Sequence, residues 1–113
     1  PLASPDQGSF EGGVAPGCPA RDAPLGESWL LERLGGEFVL LLAGHDPAQF
    51  AALGLRVLAI GASDDRDGLI AARYDLATPG AYLFRPDQLV AARFRAPTAA
   101  GVQAALERAM GQP

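Results

Sequence analysis

Four places in the chain hold residue types capable of chemistry: Cys18, His45 beside Asp46, the carboxylate run Asp64-Asp65-Arg66-Asp67, and the glycine pairs Gly12-Gly13 and Gly35-Gly36. Cys18 is the only thiol, so neither a dithiol exchange pair nor an internal disulfide can be built within the chain. A reactive thiol needs a helix N-terminus or a close cation to hold the thiolate. Cys18 stands in Pro16-Gly17-Cys18-Pro19 with only Arg21 nearby, and it reads as an unactivated thiol, a peroxidatic or regulatory role being the alternative. His45 is the only histidine. A metal ligand or general base is one reading of it, but Asp46 is better used as a helix cap and a metal site needs further His or Cys, so it reads as a solvated loop residue. The aspartate run lacks the alternating ligands and closing Glu of a calcium loop, and reads as capping and solvation at a helix start. The glycine pairs are turn material, since no Lys-bearing phosphate loop or dinucleotide fingerprint accompanies them. No catalytic, cofactor-binding or metal-ligating residue is assigned.

The elements that would position such residues follow from periodicity. Residues 1–28 carry five Pro and five Gly with almost no hydrophobic repeat, which predicts an extended arm or linker that either tied the domain to something upstream or wraps its surface. Residues 29–113 form the predicted domain. Ser28 to Leu34 predicts a short helical turn with Trp29, Leu30 and Leu34 on neighbouring faces, stopped by Gly35-Gly36. Glu37 to Ala43 is a continuous apolar run suited to a central strand buried on both faces. Asp46-Pro47 opens a helix of about two turns, Leu55 to Ile60 forms a second strand, and Leu69, Ile70 and Tyr74 mark the buried side of the next helix. Ala81 to Phe84 and Leu89 to Phe94 form a hairpin about Arg85-Pro86-Asp87-Gln88, with Val90, Ala92 and Phe94 on one face. A closing helix from Thr98 buries Val102, Ala105, Leu106, Ala109 and Met110.

The order β-α-β-α-β-β-α gives an α/β domain with a four-stranded mixed sheet flanked by helices, the layout of a thioredoxin-like fold. Its redox members need a nucleophilic Cys where the helix after the first core strand begins. Here that place reads Gly44-His45-Asp46-Pro47, with no thiol to activate. Such folds also often carry a cis proline before the third core strand, and Thr78-Pro79 stands there, with Gly80 offering a turn that needs no cis bond.

Composition removes other classes. The net charge is -4, the nine Arg are scattered and Lys is absent, so the electrostatic footprint of a nucleic-acid binder is missing. The longest apolar run, Phe38 to Ala43, is far shorter than the roughly 20 residues that span a bilayer. Residues 1–17 have no basic segment followed by an apolar one, which with the single Cys predicts a cytoplasmic protein. Pro1 in place of Met fits both removal of an initiator Met and excision from a longer chain.

Pro16-Gly17-Cys18-Pro19-Ala20-Arg21-Asp22-Ala23-Pro24-Leu25, Trp29-Leu30-Leu31, the strand from Phe38 to Leu42, Asp67-Gly68 with Arg73-Tyr74, and above all Tyr82-Leu83-Phe84-Arg85-Pro86-Asp87 together resemble one family domain. It is the C-terminal thioredoxin-like domain of the FAD-dependent aromatic-ring hydroxylases, the group of phenol hydroxylase and 3-(3-hydroxyphenyl)propionate hydroxylase. The resemblance runs from Pro16 to Met110. It implies a parent that uses NAD(P)H to reduce FAD and hydroxylates a phenolic ring with O2, its FAD and substrate sites lying in upstream domains. For this chain it implies no cofactor of its own, a structural role beside the FAD domain, and in some members a subunit contact that makes a homodimer. The family usually has Gly where this chain has Gln88. A single-cysteine peroxidase-like protein and a free-standing interaction module of thioredoxin fold are the alternatives; peroxide consumption by the chain, or the absence of upstream coding sequence, would favour them.

Overall fold

The computed structural model describes residues 3–111. Its core is a four-stranded sheet in the order β4-β3-β5-β6, with β3 (Val39–Ala43) and β5 (Gly80–Phe84) inside and β4 (Arg56–Ile60) and β6 (Val90–Phe94) at the edges. β3 runs parallel to β4 and antiparallel to β5, and β5 antiparallel to β6, which makes the sheet mixed and the fold thioredoxin-like. The apolar run of β3 is explained by its place, since Val39, Leu40, Leu41 and Leu42 alternate into the two cores on opposite faces.

The connection from β3 to β4 is a 3-10 helix over Pro47–Leu53 instead of an α-helix. Asp46 accepts from Ala48 N–H at 2.9 Å, Pro47 sets the first turn, and Gly54 ends it in the left-handed region at φ 71. Phe50 is its buried anchor. The connection from β4 to β5 carries α1 (Leu69–Tyr74), whose Ile70 and Tyr74 are buried. α2 (Ala99–Ala109) follows β6, capped by Thr98, which accepts from Gly101 N–H at 3.0 Å. Val102, Ala105, Leu106 and Ala109 face the sheet as the spacing predicts, but Met110 is the C-cap and lies 48% exposed. The helix ends one residue too soon to turn it inward. Trp29 likewise departs from expectation: it sits in a two-residue strand, β2 (Ser28–Trp29), paired with β1 (Pro24–Leu25), and is 48% exposed, leaving only Leu30–Arg33 as a 3-10 turn.

Two further details correct the sequence reading. Leu83 pairs with Ala92 but Phe84 with Val90, so Ala91 is an extra residue, a β-bulge. The bulge puts Val90 in one core cluster while Ala92 and Phe94 join the other, and the three do not share a face. Every described peptide bond is trans, Thr78-Pro79 included.

The arm wraps the domain. Ser4 N–H and Gln7 N–H donate to Ala91 and Arg93 carbonyls on the outer edge of β6, Arg95 N–H donates to Gln7, and Gly17 and Cys18 exchange backbone bonds with Val90. Val14, Ala23 and Leu25 are buried, completing the core beneath α1 and the Leu30–Arg33 turn. Gly-rich composition here supplies bends, not looseness: Gly13 adopts φ 70, and a Cβ there would meet the Tyr82 hydroxyl at 2.4 Å.

Candidate functional site

The place where this fold does redox chemistry lies at the C-terminal ends of β3 and β4. Gly44 follows β3 at φ 77 and packs so closely on Pro79 that a Cβ would lie 2.7 Å from the proline Cβ and Cγ. Beside it is a cleft of about 500 Å³ lined by Ala43, Gly44, Ile60, Gly61, Asp65 and Pro79 among others. The lining is largely backbone and small apolar groups.

The candidate residues are not brought together there. Asp65 accepts from Ile70 N–H at 2.9 Å and Ala71 N–H at 3.0 Å, and Asp64 accepts from Gly61 N–H at 2.8 Å. Asp65 thus takes the capping role at the start of α1 read from the sequence, whereas Asp64 is spent on the loop after β4. Among the described residues no group of three or more His, Cys, Asp or Glu is placed to hold a metal ion. His45 is half-buried and differs from a solvated loop residue: its Nε2 is enclosed without a hydrogen-bond partner. Cys18 is exposed, and its backbone pairs with Val90 at the start of β6. Since Ala43 pairs with Gly80 at the start of β5 and Val90 with Phe84 at its end, Cys18 and Gly44 stand at opposite ends of the sheet. No thiol reaches the loop from Gly44 to Pro47.

Nor do these residues suit FAD. The start of α1, where a pyrophosphate would seek free N–H groups, is filled by the Asp65 carboxylate, which repels an anion. No basic side chain lines the cleft.

The polar groups that are closely organised lie elsewhere, under the arm. Arg93, 6% exposed, holds Asp6 with both branches of its guanidinium, Nε to Oδ1 at 2.7 Å and Nη2 to Oδ2 at 2.9 Å, and donates to Gly12 O at 2.6 Å. Its hydrogen bonds to the carboxylate hold Asp6 below the usual carboxylate range, and the same bonds push the guanidinium further up. Tyr82 donates to Tyr74 O at 2.8 Å and accepts from Val14 N–H at 3.3 Å. The Tyr74 hydroxyl donates to Arg21 O and accepts from Arg21 N–H at 2.8 Å; burial raises its pKa. Arg95 pairs with Asp75 at 3.0 Å, and the guanidinium carbons of Arg95 and Arg93 lie 4.0 and 4.5 Å from the Phe10 ring centroid. None of this was read from the sequence. Asp6 and Arg93 are 87 residues apart, and no local pattern links them. An Arg in an otherwise apolar strand, Val-Ala-Ala-Arg-Phe, was the one available signal.

The described residues include no helix long and apolar enough to cross a membrane. No curated protein matches the chain. Solved structures do. A ternary complex of aklavinone-11 hydroxylase with FAD and aklavinone matches at 28% identity and a TM-score of 0.67, over 87% of this chain and 22% of the other. The flavin-dependent monooxygenase PieE, in complex with FAD and substrate, matches at 26% identity and a TM-score of 0.76, over 99% of this chain and 24% of the other. The rebeccamycin biosynthetic enzyme RebC, at 22% identity and a TM-score of 0.67 over 99% of this chain, shares the fold. The chain thus spans less than a quarter of the length of these proteins. A family profile described as aromatic-ring hydroxylase, C-terminal, matches residues 9–113, from the arm's Arg-stacked Phe10 through α2, and the chain belongs to that family.

Proposed function

We propose that this chain is the non-catalytic, structural and oligomerisation domain at the C-terminus of a cytoplasmic FAD-dependent monooxygenase that hydroxylates phenolic substrates with NAD(P)H and O2. Residues 29–113 serve as the thioredoxin-like unit and residues 1–28 as its arm. Its partners are the upstream FAD and substrate domains of the same polypeptide and a second copy in a homodimer. The observation that carries this reading is the loop Gly44-His45-Asp46-Pro47, which keeps the place of a redox site with no thiol in it and Gly44 packed on Pro79. The family match and the flavin-dependent neighbours supply the context. FAD would be held by the upstream domains, and no step of its chemistry passes through residues of this chain.

Mixing the purified chain with FAD and NAD(P)H tests the division of labour. Neither tight FAD binding nor nicotinamide oxidation is expected; either one overturns the reading. In a polypeptide extended upstream, removing this domain should lower thermal stability and FAD retention while turnover per bound flavin stays within about twofold. A loss of turnover with flavin fully bound would assign the domain a part in the chemistry.

A further inference from the structure

The two edges of the sheet are treated differently by the chain itself. The β6 edge is covered by arm residues 4–18 through five backbone hydrogen bonds. The β4 edge has no such cover from the described residues, among which no backbone group of residues 56–60 bonds to anything but β3. An uncovered edge is a template for another strand. Proteins guard such edges with Lys, Pro, bulges or inward charges, and β4 reads Arg-Val-Leu-Ala-Ile, with one charge at its first residue. That Arg56 already faces Glu37 at 3.9 Å.

We infer that the β4 edge is the surface on which a second copy of this chain docks, by antiparallel β4-to-β4 pairing about a two-fold axis at Leu58. This rests on the subunit-contact part of the proposed function and names its surface. The sequence of β4 is self-complementary in that register. Leu58 meets Leu58 of the second copy, Val57 meets Ala59, and Arg56 meets Ile60, so no like charges oppose. Apart from Arg56 at each end, both faces of the joined strands would be apolar, since Leu58 and Ile60 pack on the arm-side core and Val57 on the α2-side core. The two-fold also sets Leu55 opposite Gly61. Leu55 belongs to an open apolar groove with Phe38, Leu53, Leu106 and the half-exposed Met110, of about 180 Å³, and the small Gly61-Ala62 turn of the second copy would lie beside it. The result is an eight-stranded sheet with an arm-covered edge at each end. Paired five-residue strands and one groove fall below the area of a tight interface, so the dimer should be weak, with a Kd on the order of 10–500 µM.

Sedimentation of the chain across about 1 µM to 1 mM should show a monomer–dimer equilibrium, and hydrogen exchange should show β4 amides gaining protection with concentration while β6 amides do not change. Ala59→Lys, at an exposed position, should weaken the dimer by about tenfold or more and leave the melting of the dilute monomer unchanged. A monomer at every concentration overturns both this inference and the subunit-contact reading. A dimer in which β4 amides stay unprotected, or one that Ala59→Lys leaves intact, overturns the β4 surface and leaves the subunit contact standing on another face. Should Ala59→Lys not fold, exchange on the unaltered chain decides.

Discussion

The end of the sheet that bears Gly44 and the face beneath the arm hold the same kinds of residue to different effect. At the Gly44 end, Asp46, Asp64 and Asp65 each satisfy N–H groups within a few residues of themselves, and His45 leaves one nitrogen without a partner. Under the arm, Asp6, Asp75, Arg93, Arg95, Tyr74 and Tyr82 bridge segments far apart in the chain. A thioredoxin-like oxidoreductase concentrates its tuned groups at the first place, where a helix start can lower a thiol pKa. This domain has put its buried charge and its buried hydroxyls at the second. The lesson is that perturbed titration alone does not mark a functional site, because a structural ion pair perturbs its own members. Arg93 and Asp6 are perturbed by the bonds that lock the arm onto β6, and Tyr74 by its burial beneath the arm.

Several measurements would break or sharpen that contrast. Deleting residues 1–19 should have the largest effect, because it removes Val14 and Phe10 from the core and strips the β6 edge; a domain of this size has only about 5–15 kcal/mol of stability, and loss of cooperative thermal unfolding is expected. If the truncated chain melts cooperatively within a few degrees of the intact one, the arm is an accessory. Arg93→Ala should cost about 3 kcal/mol in denaturant unfolding, the low end for a buried pair because Asp6 is partly solvated. Gly44→Ala should cost about 1–3 kcal/mol from the clash with Pro79 and the left-handed φ, showing that the loop after β3 is held by packing.

Acid should act through Asp6. Its folded pKa lies below the unfolded value of about 3.9, so the pair's contribution is complete above that value and disappears as pH falls through the folded pKa. The stability difference between the natural chain and Asp6→Asn should therefore be steady near neutrality and shrink below about pH 4. A difference unchanged down to about pH 2 would detach the arm from its charge pair. Smallest of all, Cys18→Ser should change stability by less than about 0.5 kcal/mol, and the thiol should react with a labelling reagent at the rate of an ordinary exposed cysteine. Unusually fast labelling near neutral pH would revive a redox role.

The sheet was legible because it obeys local rules. A short apolar run such as Val-Leu-Leu-Leu-Ala, ended by Gly44, suits a strand in the middle of a sheet, and Asp46-Pro47 offers both a cap and a first-turn proline to the helix that follows. The empty redox position was legible for the same reason, being a matter of residue type at a known place in the order. Three things were hidden. The bulge at Ala91 depends on how two strands align, which Val90-Ala91-Ala92 alone does not fix. Gln88 stands in the left-handed region at φ 68, where Gly is usual, and its side chain offsets that strain by donating to Leu31 O at 3.1 Å and Leu34 O at 3.3 Å, partners more than fifty residues away. The arm's anchoring was hidden because its contacts are made by single residues, Asp6, Phe10 and Val14, set in a Pro/Gly-rich frame whose lack of period left a linker and a surface wrap equally open.

The pairing of arm and β6 also fixes the order in which the molecule can be assembled. Ser4, Asp6 and Gln7 have their partners at Ala91 and Arg93, so during synthesis these arm residues wait for nearly the whole domain to emerge before they find a place. Closing a loop of that length is entropically slow compared with forming the β5-β6 hairpin, which needs only neighbouring residues. Until then β6 is as open as β4, so the docking of the arm is also the step that closes this edge to neighbouring chains.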